Sequence, residues 1–108
     1  MGILPSKGIM TSMLKQPLRA SAAEKLIRSL TALGDVHFRN PYVARRQAQR
    51  KIENIDIINV LQRGKVREAE FENGEWRHQV WTASFTVVGS LEDDGTMLNV
   101  CTCWRNQP

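Results

Sequence analysis

Gly64 divides the chain by hydrophobic period. Before it, apolar residues recur at the three-and-four spacing of amphipathic helices; after it they fall in β-rich runs broken by turn residues. SAAEKLIRSLTALG reads as a helix. Ser21 and Glu24 form the pattern of a capping box, Leu26, Ile27, Leu30 and Leu33 recur at helical spacing, and Gly34 supplies the stop. A short extended piece, DVHFR, follows. NPYVARRQAQRKI reads as a second helix, with Asn40 as N-cap and Pro41 at its first position. A third is expected from about Ile55 to Arg63, capped by Asn54 and stopped by Gly64, with Ile55, Ile57, Ile58, Val60 and Leu61 as core. Past Gly64, KVREAEF and EWRHQVW flank Asn73-Gly74, a hairpin signal. ASFTVVGSL, the turn Asp93-Asp94-Gly95 and TMLNVCTCWR complete the strands. Helices first and antiparallel strands second predict an α+β domain, with N-terminal helices packed on one face of a C-terminal meander sheet.

At 108 residues, of which 42% are hydrophobic, the chain is sized for one domain with its own core. Residues 1–18 read as a flexible leader and 19–108 as the domain. No apolar run is long enough to span a bilayer. The opening residues lack the apolar centre of a signal peptide. The expectation is a soluble, cytoplasmic protein with no membrane partner.

Charge is distributed unevenly. Residues 1–51 hold ten Lys/Arg and two acids, whereas residues 52–108 hold five Lys/Arg and nine acids. The first half therefore favours a polyanion or an acidic protein as partner. Its centre is the second helix. On a helical wheel Tyr42, Arg45, Arg46 and Gln49 share one side, with Arg50 at its edge. Ala44 and Ala48 recur four apart elsewhere, as a small face for close packing. The planar guanidinium suits phosphate. Two readings stand: a surface for a phosphate backbone or acidic partner, or arginines that pair with Glu68, Glu70, Glu72 or Glu75 of the sheet.

Other chemistry-bearing residues are sparse. Cys101 and Cys103 sit two apart in a strand, where they would point to one face and a disulfide between them would be strained. A metal site needs about four ligands, and His37 and His78 lack ligand spacing to the cysteines, so buried free thiols are expected. Alternation in EWRHQVW puts Trp76, His78 and Val80 on one face and Arg77, Gln79 and Trp81 on the other. His78 in that company reads as a core or rim residue before it reads as a catalyst. In the last strand Leu98, Val100, Thr102 and Trp104 are expected to share one face, and Met97, Asn99, Cys101 and Cys103 the other. Trp76, Trp81 and Trp104 suit a core, and one could stack on a base. Spacing gives no Ser-His-Asp or Cys-His arrangement, no P-loop and no carboxylate pair.

The order of elements carries a resemblance. A capped helix and short strand lead to a helix ending in Arg50-Lys51-Ile52, then IENIDIINVLQRG, a hairpin, and a final strand closing in TCWR. Over roughly residues 21–106 this resembles the DUF4258 family of small bacterial domains. That family is similar to the RelE-like and MqsR-like ribonuclease toxins of the barnase–EndoU–colicin–RelE fold group. Arg50, Gly64, Thr102 and Trp104 are family-like positions. Where the family usually has His at the start of the Arg-bearing helix, this chain has Tyr42. The resemblance implies a metal-independent RNA endonuclease without cofactor, the toxin of a toxin–antitoxin pair, held by an acidic antitoxin. On that basis Tyr42 or His78 would serve as acid or base and Arg46 and Arg50 would neutralise the phosphate. Arg45, Gln49, Arg77 and Arg105 would hold the RNA. The alternative is a non-catalytic module using the same basic face to dock nucleic acid or an acidic protein.

Overall fold

A computed structural model describes residues 13–107. The order is α1 (Ala20–Leu33), β1 (Val36–Phe38), α2 (Tyr42–Arg50), α3 (Asn54–Arg63), β2 (Lys65–Val66), β3 (Glu70–Glu72), β4 (Glu75–Trp81), β5 (Phe85–Leu91) and β6 (Leu98–Arg105). The sheet runs β1-β6-β5-β4-β2, and β3 also pairs with β4. All pairings are antiparallel except β1, which lies parallel to β6 at one edge. This is the α+β class, with the helices ahead of the central meander β4-β5-β6.

The core sits between the helices and one sheet face. Ile27 and Leu30 of α1, Val43 of α2 and Ile57, Val60 and Leu61 of α3 meet Val80, Val87, Leu91, Leu98, Val100 and Cys103. Burial of apolar area of this kind is the main favourable term in folding. Gly64 lets α3 hand over to β2 at close quarters: a Cβ there would lie 2.6 Å from the Val60 carbonyl and 2.8 Å from that of Trp81. The Asn73-Gly74 turn is as expected, both residues having positive φ (52° and 81°), the signature of a two-residue type I′ hairpin.

Several local expectations are corrected. The capping box lies at α3, where Glu53 and Asp56 satisfy each other's backbone N–H groups, and not at Ser21 and Glu24; α1 starts earlier, without a side-chain cap. Asn40 Oδ1 still accepts from the Ala44 N–H at 3.1 Å, one residue further out than an N-cap. Leu33 and Ile55, expected in the core, are exposed because each lies on the solvent side of its helix. The leader expected over 1–18 lies outside the described residues as far as position 12. Within the remainder, Leu14 and Leu18 pack against the core, and the Leu14 N–H donates to the Asp93 carbonyl.

The alanine face of α2 is also corrected. Ala44 and Ala48 are exposed; the helix buries Val43, turns Gln47 to the Ile52 carbonyl and Asn54, and lays Arg50 towards β6. Arg50 fits there because Nη1 donates to the Cys103 carbonyl at 2.6 Å, and its long apolar stem can pack while its head finds a partner. In β6 the expected alternation breaks at Cys101. Val88 pairs with Thr102 and Gly89 with Val100, so Cys101 is the unpaired residue of a β-bulge. One extra residue reverses the faces that follow. Leu98, Val100 and Cys103 therefore face the helices, while Thr102 and Trp104 line the opposite side. The thiols are free and buried, on opposite faces rather than one.

Candidate functional site

The face of the sheet away from α1 and α3 carries Glu75, Arg77 and Gln79 of β4, Val88 and Ser90 of β5, and Asn99, Thr102 and Trp104 of β6. Helix α2 borders it. Because β1 covers only the first part of β6, α2 packs along the rest, burying Val43 on the core side and presenting Tyr42 at the rim of the open face. Two adjoining concavities of about 370 Å³ each meet there. One is bounded by Arg39, Tyr42, Asn73, Arg77, Cys101 and Thr102. The other shares Tyr42, Asn73, Arg77 and Thr102 and extends to Glu70, Glu72, Gln79, Val88 and Trp104.

Tyr42 is coupled to its own helix. Arg46 Nε donates to the Tyr42 hydroxyl at 3.0 Å, its guanidinium lies 4.6 Å from the ring centroid, and its Nη1 donates to Gln49 Oε1 at 2.9 Å. The hydrogen bond from Arg46 draws the phenol below its ordinary pKa, partial burial opposes, and Arg46's charge, Thr102 and Arg50 reinforce the lowering. Cations and donors stabilise the phenolate, so more of the hydroxyl is ionised near neutral pH than in an isolated tyrosine.

Glu75 organises the arginines of the concavity. Its carboxylate accepts from both Arg39 Nη atoms, at 2.6 and 2.8 Å, from Arg77 Nε at 2.9 Å and from Ser90 Oγ at 3.0 Å. The Arg39 fork, with Ser90 and Arg77, holds the carboxyl down to about 2 despite its burial. The two guanidiniums share Glu75 and keep N–H groups to spare beside Tyr42 and Thr102. Arg77 also contacts Glu72 at 3.4 Å.

The expected site residues are thereby sorted. Tyr42, Arg46 and Gln49 form one hydrogen-bonded group, and Arg77 lies in the concavity beside Tyr42. Arg45 is exposed on the outer side of α2. Among the described residues, neither Arg45, Arg46 nor Arg50 pairs with a glutamate; the sheet's acids take Arg39 and Arg77 instead. Arg50 and Arg105 are engaged internally. Arg105 donates from Nε to the Arg50 carbonyl at 2.8 Å and from Nη2 to the Lys51 carbonyl at 2.6 Å, closing the end of α2, where Lys51 adopts a left-handed φ of 55°. His78 is fully buried on the helix-covered face, with no hydrogen-bond partner for either ring nitrogen among the described residues. Burial lowers its pKa, opposed by the Arg67 backbone and the Glu68 charge, which favours the neutral ring, and the ring lies across the sheet from Tyr42.

Sequence reasoning missed Arg39 as a member of the concavity and Glu75 as the carboxylate that holds it; Thr102 and Trp104 were named only as family-like positions, without a place in a site. Arg39 and Glu75 lie 36 positions apart, so only their meeting across the sheet reveals them. The three tryptophans, expected mostly in the core, are all half-buried: Trp76 stands edge-on to Phe71, Trp81 lies under Arg67, and Trp104 faces the concavity.

Fold and site together define a small α+β domain with one helix-covered sheet face and one open, polar face. The chain matches no protein-family model, no curated protein and no solved structure.

Proposed function

We propose that the open face binds single-stranded RNA and cleaves it by attack of a 2′-hydroxyl on the adjacent phosphate, in the manner of the RelE-like toxins the sequence resembles. The observation that carries this reading is Tyr42: a phenol made more acidic by Arg46, at the rim of a concavity that also holds Arg39, Arg77 and Thr102. The phenolate takes the proton of the 2′-OH. The 2′-oxygen bonds to phosphorus, and the developing negative charge faces the Arg39–Arg77 pair. The bond to the 5′-oxygen breaks and that oxygen takes a proton from water, while Tyr42 returns its proton to the hydroxide. The products end in a 2′,3′-cyclic phosphate and a 5′-OH. The reaction itself requires no metal.

Unrestrained RNA cleavage is toxic, which suits a toxin held by an acidic antitoxin. The exposed Arg45 and the adjacent Arg46, without acidic partners among the described residues, are the groups an antitoxin's carboxylates would engage. The test is incubation of purified protein with labelled single-stranded RNA in excess chelator. Wild type yields fragments with cyclic phosphate ends, and Tyr42→Phe slows their appearance about 100-fold or more with RNA affinity kept. Equal rates for the two proteins overturn the role of Tyr42.

A second reading, a binding module without catalysis, is favoured by one observation: His78, the other expected proton-transfer group, lies on the wrong side of the sheet. On that reading wild type binds the RNA and leaves it intact at any protein concentration.

A further inference from the structure

The two adjoining concavities differ in charge. One end holds the guanidiniums of Arg39 and Arg77, balanced by Glu75 and Glu72. The end towards Trp104 is bordered by Glu70 and Glu72, whose pairing with Arg77 and Glu75 puts their side chains on the same open face. A phosphate is repelled by those carboxylates. A nucleobase with an exocyclic amino group is not, because the carboxylates accept its N–H. Trp104 and Val88 give that end an apolar wall, and stacking on an aromatic ring is tolerant of base identity. Gln79 makes no side-chain hydrogen bond among the described residues, so its amide offers both a free donor and a free acceptor.

We propose that this end of the open face is an adenine subsite for the nucleotide next to the phosphate at Tyr42. The base stacks on Trp104 and is read by the Gln79 amide, which pairs with N6 and N7 of adenine, while Glu70 or Glu72 takes the second N6 hydrogen. Guanine presented by the same edge turns its O6 and N7 acceptors towards the carboxylates and leaves the Gln79 amide oxygen without a donor, so it is disfavoured in this pose. Uracil offers no amino group. The subsite rests on the RNA-binding reading but not on cleavage.

The experiment uses the full chain and 2′-O-methyl hexanucleotides, which lack the attacking hydroxyl. An all-U oligomer is compared with oligomers carrying one A, C or G, by fluorescence anisotropy at fixed salt. The single A is expected to tighten binding roughly tenfold, and Gln79→Leu, with an unaltered melting temperature, to bring the A oligomer down to the all-U value. Equal affinity for the four oligomers, a preference for C or G, or an A preference that persists in Gln79→Leu would overturn the subsite. Selective binding of A by a protein that never cuts RNA leaves the subsite standing and removes the nuclease reading. Cleavage without base preference does the reverse.

Discussion

On the helix-covered face of the sheet, His78 lies buried with neither ring nitrogen partnered among the described residues, whereas on the open face one carboxylate, Glu75, accepts from Arg39, Arg77 and Ser90. The covered face is held by apolar burial, which is non-directional and tolerates a misplaced polar group at a cost of about 1–3 kcal/mol. Among the described residues no helix lies over the open face, and its charged groups are fixed by one another. Guanidiniums held this way are oriented before any ligand arrives, and lose less rotamer entropy on binding than free surface arginines do.

The contrast can be broken from either side. The largest stability change is expected on the covered face: Leu61→Ala, at a fully buried α3 position, lowers unfolding free energy by about 3 kcal/mol in urea titration. RNA affinity, measured where the variant is folded, follows the folded fraction only. Next comes Glu75→Gln, with an expected loss on the order of 2 kcal/mol at neutral pH after allowance for the part-exposed Arg39. Its sign follows from the lowered carboxyl. The stabilisation is fully present above the ordinary pKa of 4.5 and is lost as pH falls towards about 2. The variant therefore loses the wild type's acid limb in that window. In contrast to Leu61→Ala, it weakens RNA binding beyond any change in folded fraction, because Arg39 and Arg77 lose their anchor.

The smallest effect is expected at His78. Its folded pKa lies below 6.5, so the unfolded chain binds the extra proton and stability falls as pH drops below about 6.5. His78→Leu removes that dependence and leaves stability within about 1 kcal/mol of wild type at neutral pH. Thermal melts at pH 5 and pH 7.5 check this. A variant whose melting temperature falls as steeply with acid as wild type's would show that His78 is not the buried neutral group described.

The sequence made the covered face far more legible than the open one. Helical spacing named Ile27, Leu30, Ile57, Val60 and Leu61, and Asn73-Gly74 named the hairpin, because apolar period and turn chemistry are local signals. The open face depends on two features that leave no such trace. The bulge at Cys101 adds one residue to an apolar run, so nothing in TMLNVCTCW marks where the alternation reverses, although that reversal places Thr102 and Trp104 beside Tyr42. The side of α2 that packs was misread because alanine suits surface and core alike. Arg50, expected at the edge of the binding side, turns inward because the Cys103 carbonyl receives it. Tyr42 with Arg46 and Gln49 was legible, being a matter of three- and four-residue spacing within one helix.

The central claim is that RNA lies on the open face and not along the outer side of α2. Amide and indole NMR shifts on titration with a 2′-O-methyl oligonucleotide test it most directly. The account predicts that Arg39, Tyr42, Arg77, Gln79, Thr102 and the Trp104 indole shift together, while His78 and the amides of Ala44 and Ala48 stay in place. Shifts confined to Ala44, Arg45 and Ala48, with Arg77, Thr102 and Trp104 unmoved, would contradict it.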